Sequence, residues 1–112
     1  MSKNISFEEV YAESVGNAIK ILGDIVSKIV TDYLAHTYSI DITKTADKPY
    51  ILDEALSHVI DGGKLIIERR IITILYKKMG LLENLSSTSI VSFEERVNEA
   101  RERYNKLLKR NL

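Results

Sequence analysis

The residues with most chemical potential in this chain are its two histidines, each one helical turn from a carboxylate. Asp32 and His36 are four apart, and Glu54, His58 and Asp61 follow one another at i, i+4 and i+7. On a helix, that spacing brings carboxylate and imidazole to one face, and two such helices could complete a metal site. The Glu-x-x-His step of di-iron bundles is missing, because four residues separate Glu54 from His58. Ordinary ion pairing between neighbouring turns explains the same spacing more simply. The sequence therefore predicts no metal and no cofactor.

Other chemistries lack their essential parts. Neither His36 nor His58 has an arginine in the preceding several residues, as small helical nucleases require. The serines and threonines cluster at 86–92 with no nearby histidine to act as a base. Gly62-Gly63-Lys64 lacks the first glycine and the following Ser/Thr of a phosphate loop. The tyrosines, Tyr11, Tyr33, Tyr38, Tyr50, Tyr76 and Tyr104, read as core-edge residues with wet hydroxyls. Catalysis is not expected. A basic strip of Arg69, Arg70, Lys77 and Lys78, extended by Arg101, Arg103, Lys106, Lys109 and Arg110, could follow a phosphate backbone. Glu94, Glu95, Glu99 and Glu102 interleave with its second half, and no Arg/Asn/Gln-rich recognition helix follows a short turn.

Composition narrows the class. The chain has 112 residues, enough for one core without staples. Basic and acidic residues balance at 16 each, so the whole chain is not a polycation. There is no cysteine, which excludes disulfides, thiolate metal sites and a thiol nucleophile. The opening Met-Ser-Lys-Asn-Ile-Ser lacks the apolar core of a signal peptide. The longest apolar runs, such as residues 71–76, fall far short of the roughly 20 residues that span a bilayer. A soluble, cytoplasmic chain with no membrane partner is expected.

The elements that would carry these residues are helical. Ser6 with Glu9 forms a capping box, flanked by Ile5 and Val10 as a hydrophobic staple. Phe7, Val10, Tyr11, Val15, Ala18, Ile21 and Leu22 recur at helical spacing up to Gly23, a natural stop. Asp24 is placed to cap a second helix, with Ile25, Val26, Ile29, Val30, Tyr33 and Leu34 as a broad buried stripe. That helix should fade near Thr37 to Ser39, and residues 41–48 read as a crossover loop. Asp47 is placed to cap a third helix with Pro49 in its first turn and Ile51, Leu52, Ala55, Leu56, Val59 and Ile60 inward. Gly62-Gly63 ends it. Residues 64–79 form the fourth and most apolar helix, expected to be central or buried at an interface. Ala18-Ile19 with Leu22-Gly23 is weakly echoed about 39 residues on by Ala55-Leu56 with Ile60 and Gly62.

The fold class predicted is all-α. Two antiparallel helical hairpins, residues 6–40 and 49–81, make a four-helix core within residues 1–82, followed by a polar linker at 83–92. An amphipathic arm at 93–112 opens on a second capping box, Ser92 with Glu95. Phe93, Val97, Ala100, Tyr104 and Leu107 repeat at 4-3-4-3 along it, a narrow seam for pairing with another helix. Two heptads are too short to stand alone, so the arm docks on its own core or on another chain.

Phe7-Glu8-Glu9-Val10-Tyr11, Leu22-Gly23, Tyr33-Leu34, Pro49, Glu54-Ala55-Leu56, Gly62, Ile67-Glu68 and the run from Leu75 to Leu81 together resemble the archaeal Nitrosopumilus output domain group. The resemblance covers about residues 5–82 and consists of glycine and apolar spacing; the Asp61-Gly62-Gly63 junction carries a residue more than Gly23 does. It implies a helical output module that binds proteins or oligomerises, with no catalytic residues to carry over.

The functional expectation is an interaction or signalling output module that self-associates, most simply as a homodimer. Its candidate interface residues are Ile71, Ile74, Leu75, Val97, Ala100, Tyr104 and Leu107. The alternative is a nucleic-acid-associated regulator acting through Arg69, Arg70, Lys77 and Lys78. A third reading is a sensor holding a small apolar ligand between the hairpins.

Overall fold

The computed structural model describes residues 5–60, 62–81 and 92–110, without the side chain of Arg110. Five α-helices follow in order: α1 (Phe7–Ile19), α2 (Gly23–Tyr38), α3 (Pro49–Val59), α4 (Lys64–Lys78) and α5 (Phe93–Arg110). Two 3-10 turns, Lys20–Leu22 and Ile42–Lys44, join α1 to α2 and precede α3. The described residues contain no strand. The isoleucine-rich run of α4 is helical despite its β-branched content, because its apolar residues meet partners on three sides.

The capping box at Ser6 forms as its sequence predicts, with the Ser6 hydroxyl accepting from the Glu9 amide and the Glu9 carboxylate reaching back. At Ser92, the hydroxyl likewise accepts from the Glu95 amide at 3.1 Å. Two other expected caps do not form. Asp24 lies inside the first turn of α2, whose cap residue is Leu22, and Lys48, not Asp47, caps α3. In both places the chain enters the helix one or two residues away from the acid. Gly23 ends the 3-10 turn at φ 84°, ψ 164°, a conformation that essentially only glycine adopts. It turns the chain rather than closing a left-handed helix cap.

That turn decides the packing. α1 and α2 do not lie along one another; α1 runs against α4, and α2 against α3. Of the two expected hairpins, α1 and α2 do not pack as a pair, whereas α3 and α4 do touch, and the larger contacts, α1 with α4 and α2 with α3, cross the two halves. Antiparallel pairing of α2 and α3 is visible in Tyr33, whose ring stacks on His58 at 4.9 Å, while Tyr38 further along bonds to Glu54. Leu34 and Val30 of α2 and Leu52, Ala55 and Leu56 of α3 are fully buried. From α1 come Tyr11, Val15 and Ala18, and from α4 come Ile67, Ile71 and Leu75.

α5 joins the same core. It packs on α3, α4 and α1, and its Phe93, Val97 and Ala100 are buried. The 93–112 arm is thus not held apart, at least over its described part. The residues assigned to the linker lie outside the described residues, save Ser92.

The 41–48 segment is also more than a crossover. Ile42, Thr45 and Ala46 are buried, and the Thr45 hydroxyl bonds both to the Ile42 carbonyl (3.1 Å) and to the Tyr11 hydroxyl (2.6 Å). Since Thr45 donates to the carbonyl, Tyr11 donates to Thr45. The two partners are then unequal under mutation. Tyr11→Phe leaves Thr45 with its carbonyl bond and should cost about 0.5–1.5 kcal/mol. Thr45→Val leaves a buried tyrosine hydroxyl without an acceptor and should cost more, about 1–3 kcal/mol. Urea unfolding of the two variants reads the difference, and equal losses would contradict this assignment of donor and acceptor.

Candidate interaction surface

The structure gives each acid–histidine pair a local structural partner. The His36 Nδ1 bonds to the Asp32 main-chain oxygen at 2.9 Å, while the Asp32 carboxylate pairs with Lys28 at 3.0 Å. Glu54 accepts from the Tyr33 hydroxyl at 3.5 Å and from Tyr38, whose own ionisation is pushed up to about 12 chiefly by that bond. His58 lies flat on Tyr33, and Asp61 falls outside the described residues. Among the described residues, no group of three or more histidines and carboxylates is placed to hold a metal.

The basic strip divides. Arg69, Arg70, Lys77 and Lys78 are exposed along α4, with Lys78 3.5 Å from Glu13. Arg101 turns inward: its guanidinium donates to the Ala46 carbonyl and to Asn98, lies 3.6 Å from Asp47 and covers the Phe7 ring at 5.1 Å. It ties α5 to α1 and to the segment before α3, a role that its place among alternating charges did not announce. Arg103 sits over the Tyr76 ring. Lys106 and Lys109 are exposed.

The expected interface residues are mostly spent inside the chain. Ile71, Leu75, Val97 and Ala100 are completely buried among the chain's own helices. Ile74, Tyr104 and Leu107 are half-buried, and the Tyr104 hydroxyl donates to the Ile5 carbonyl at 2.7 Å. Six of the seven therefore hold α4 and α5 to their neighbours, while Leu107 lies in a shallow groove with Leu81, Arg103 and Lys106. The physical reason is that the α5 seam, two heptads long, finds its partner in the surfaces of α3 and α4.

The apolar surface left in solvent lies elsewhere. Ile25 is 79% exposed, Leu65 72%, Ile66 70% and Ile21 58%, with Ile29 about half exposed. The stripe read as one broad buried face of α2 is split: Val30 and Leu34 point into the core while Ile25 and Ile29 point out. Positions 25, 29, 32 and 36 share the outward face, so the polar pair Asp32 and His36 was the available signal for its direction. Near Leu65 a shallow groove of about 290 Å³ is lined by Ser57, Ile60, Gly62, Lys64 and Leu65.

One polar feature was missed altogether. Glu68 of α4 is buried, hydrogen-bonded to Asp53 of α3, and its Oε2 has no partner. Lys64 reaches Asp53 at 3.2 Å from the preceding turn of α4. Burial, then the bond to Asp53 and its charge, push the Glu68 carboxyl up to about 8, against a smaller opposing effect of Lys64. Asp53 moves down, because Glu68 and Lys64 both donate to it. Glu68 is thus the proton-bearing member of the pair near neutral pH.

No helix among the described residues is long and apolar enough to cross a membrane. In comparisons with protein-family models, curated proteins and solved structures, nothing matches this chain.

Proposed function

We propose that the chain is a non-catalytic helical module that acts in the cytoplasm by binding protein, in the first place a second copy of itself. One observation carries the reading: large aliphatic side chains are exposed in pairs, Ile25 with Ile29 one turn apart on α2 and Leu65 with Ile66 on α4, with Ile21 exposed in the turn before α2. Membership of the archaeal output-domain group is part of this proposal and rests on the glycine and apolar spacing between residues 5 and 82.

Light scattering over a concentration series should show a rise from monomer to dimer in the micromolar range. Glutamate at the group that lies in the contact, Ile25 on α2 or Leu65 with Ile66 on α4, should weaken that association without loss of helical signal. A constant monomer mass up to hundreds of micromolar would overturn the self-association reading.

A second reading is favoured by one feature, the exposure of Arg69, Arg70, Lys77 and Lys78 along α4. If that row binds nucleic acid, a mobility shift appears at low salt and fades as salt rises, roughly in proportion to the phosphates contacted. Absence of any shift at low salt removes it.

A further inference from the structure

We propose that the outer face of α2 is a two-fold homodimer seam, with α2 antiparallel to α2 of a second copy. Ile25 packs against the partner's Ile29, and Asp24 lies beside the partner's Lys28. The proposal rests on the self-association reading and fixes the face and geometry.

The outward positions of α2 are Ile25, Ile29, Asp32 and His36, at steps of four, three and four, while Val30 and Leu34 occupy the inward side. That is the narrow spacing by which one helix pairs with another. Gly23 breaks the helix on one side and Asp32 ends the apolar part on the other, so the seam is about two turns long.

The charges identify the occupant. Asp24 and Lys28, both exposed, flank Ile25 and Ile29 on one side of the outward face. A two-fold axis perpendicular to the helices keeps that row on the same side in both copies and reverses its direction. With Ile25 opposite the partner's Ile29, Asp24 and the partner's Lys28 are offset by two residues, about 3 Å along the axis. A lysine side chain spans that offset. A parallel two-fold pairing would instead carry the row to the opposite flank of the seam in the second copy, so that the two rows would not meet. The row is therefore complementary to itself only when reversed, which is the requirement of an isologous interface. The existing Lys28–Asp32 bond is an exposed i, i+4 pair, and leaves the ammonium open to solvent.

Sedimentation equilibrium on the full chain tests this. Ile25→Glu and Ile29→Glu should each raise the dimer dissociation constant by about tenfold or more, with helical circular dichroism unchanged. Lys28→Asp sets two acids against each other and should also weaken the dimer. Adding Asp24→Lys to it restores opposite charges and should recover the affinity to within a few-fold, which no general loss of structure would allow. A dimer indifferent to these changes but broken by Leu65→Glu with Ile66→Glu overturns the α2 seam and leaves the self-association reading standing. A monomer at hundreds of micromolar overturns both.

Discussion

Val97→Asp should abolish the cooperative unfolding transition or lower the stability by more than about 4 kcal/mol, the largest loss expected of any single change in α5. Val97 is fully buried where α5 meets the other helices, midway between Phe93 and Ala100, both also buried. Arg101, one turn further along α5, has its terminal guanidinium nitrogens engaged with Ala46, Asn98 and Asp47, so a carboxylate at 97 must compete for a cation already in use. The aspartate must either stay neutral at a cost, force water into the core, or expel the helix. Expulsion would strand the apolar faces of α3 and α4, so the remaining helices would lose their cover as well. Asn105→Asp, an exposed position on the same helix, adds the same charge and should leave stability within ±0.5 kcal/mol. Thermal and urea unfolding followed by circular dichroism check both. If Val97→Asp unfolded like wild type, α5 would not be a structural part of the domain. The loss should not depend on protein concentration, which separates it from the association effects of Ile25→Glu.

Patterns local to one helix were legible in the sequence. The starts of α1, α3, α4 and α5 and both serine caps follow from capping boxes, glycines and the lone proline, whereas α1 gives way to a 3-10 turn at Lys20 before Gly23 is reached. The pairing of helices was not. Gly23 was readable as a break, but whether the chain folds back or swings away depends on its ψ, which no side chain declares. The direction of α2 was similarly ambiguous: with Ile25, Val26, Ile29, Val30, Tyr33 and Leu34 all apolar, the stripe is wide enough to be buried from either edge. Val30 and Leu34 win because α3 lies on their side. The α5 seam was visible as a seam, yet spacing alone does not say whether its partner is the same chain. Glu68 was hidden for a different reason. In sequence it reads as one more charge on the polar edge of α4, and only the approach of Asp53 from α3 shows a carboxyl without water.

The second large effect is that Glu68→Gln should make the protein more stable at pH 8 by about 1–3 kcal/mol, and nearly unchanged at pH 5. The folded state holds the Glu68 proton up to about pH 8, whereas in an unfolded chain it leaves near the usual 4.5. Between those limits the native state binds a proton that the unfolded state has released. Stability attributable to Glu68 therefore falls steadily as pH rises through that window, and is level above it. Asp53 works in the other direction: its lowered pKa adds stability above the ordinary carboxylate range, lost only as pH falls through the folded value. Glutamine keeps an N–H donor for the Asp53 carboxylate and has nothing to titrate, so the slope due to position 68 disappears. For a domain of this size each kcal/mol corresponds to about 4–8 °C in melting temperature, so the gap at pH 8 is well within measurement. Parallel stability curves for the two proteins from pH 5 to 8 would mean that Glu68 ionises normally in the fold, and that water reaches the contact between α3 and α4.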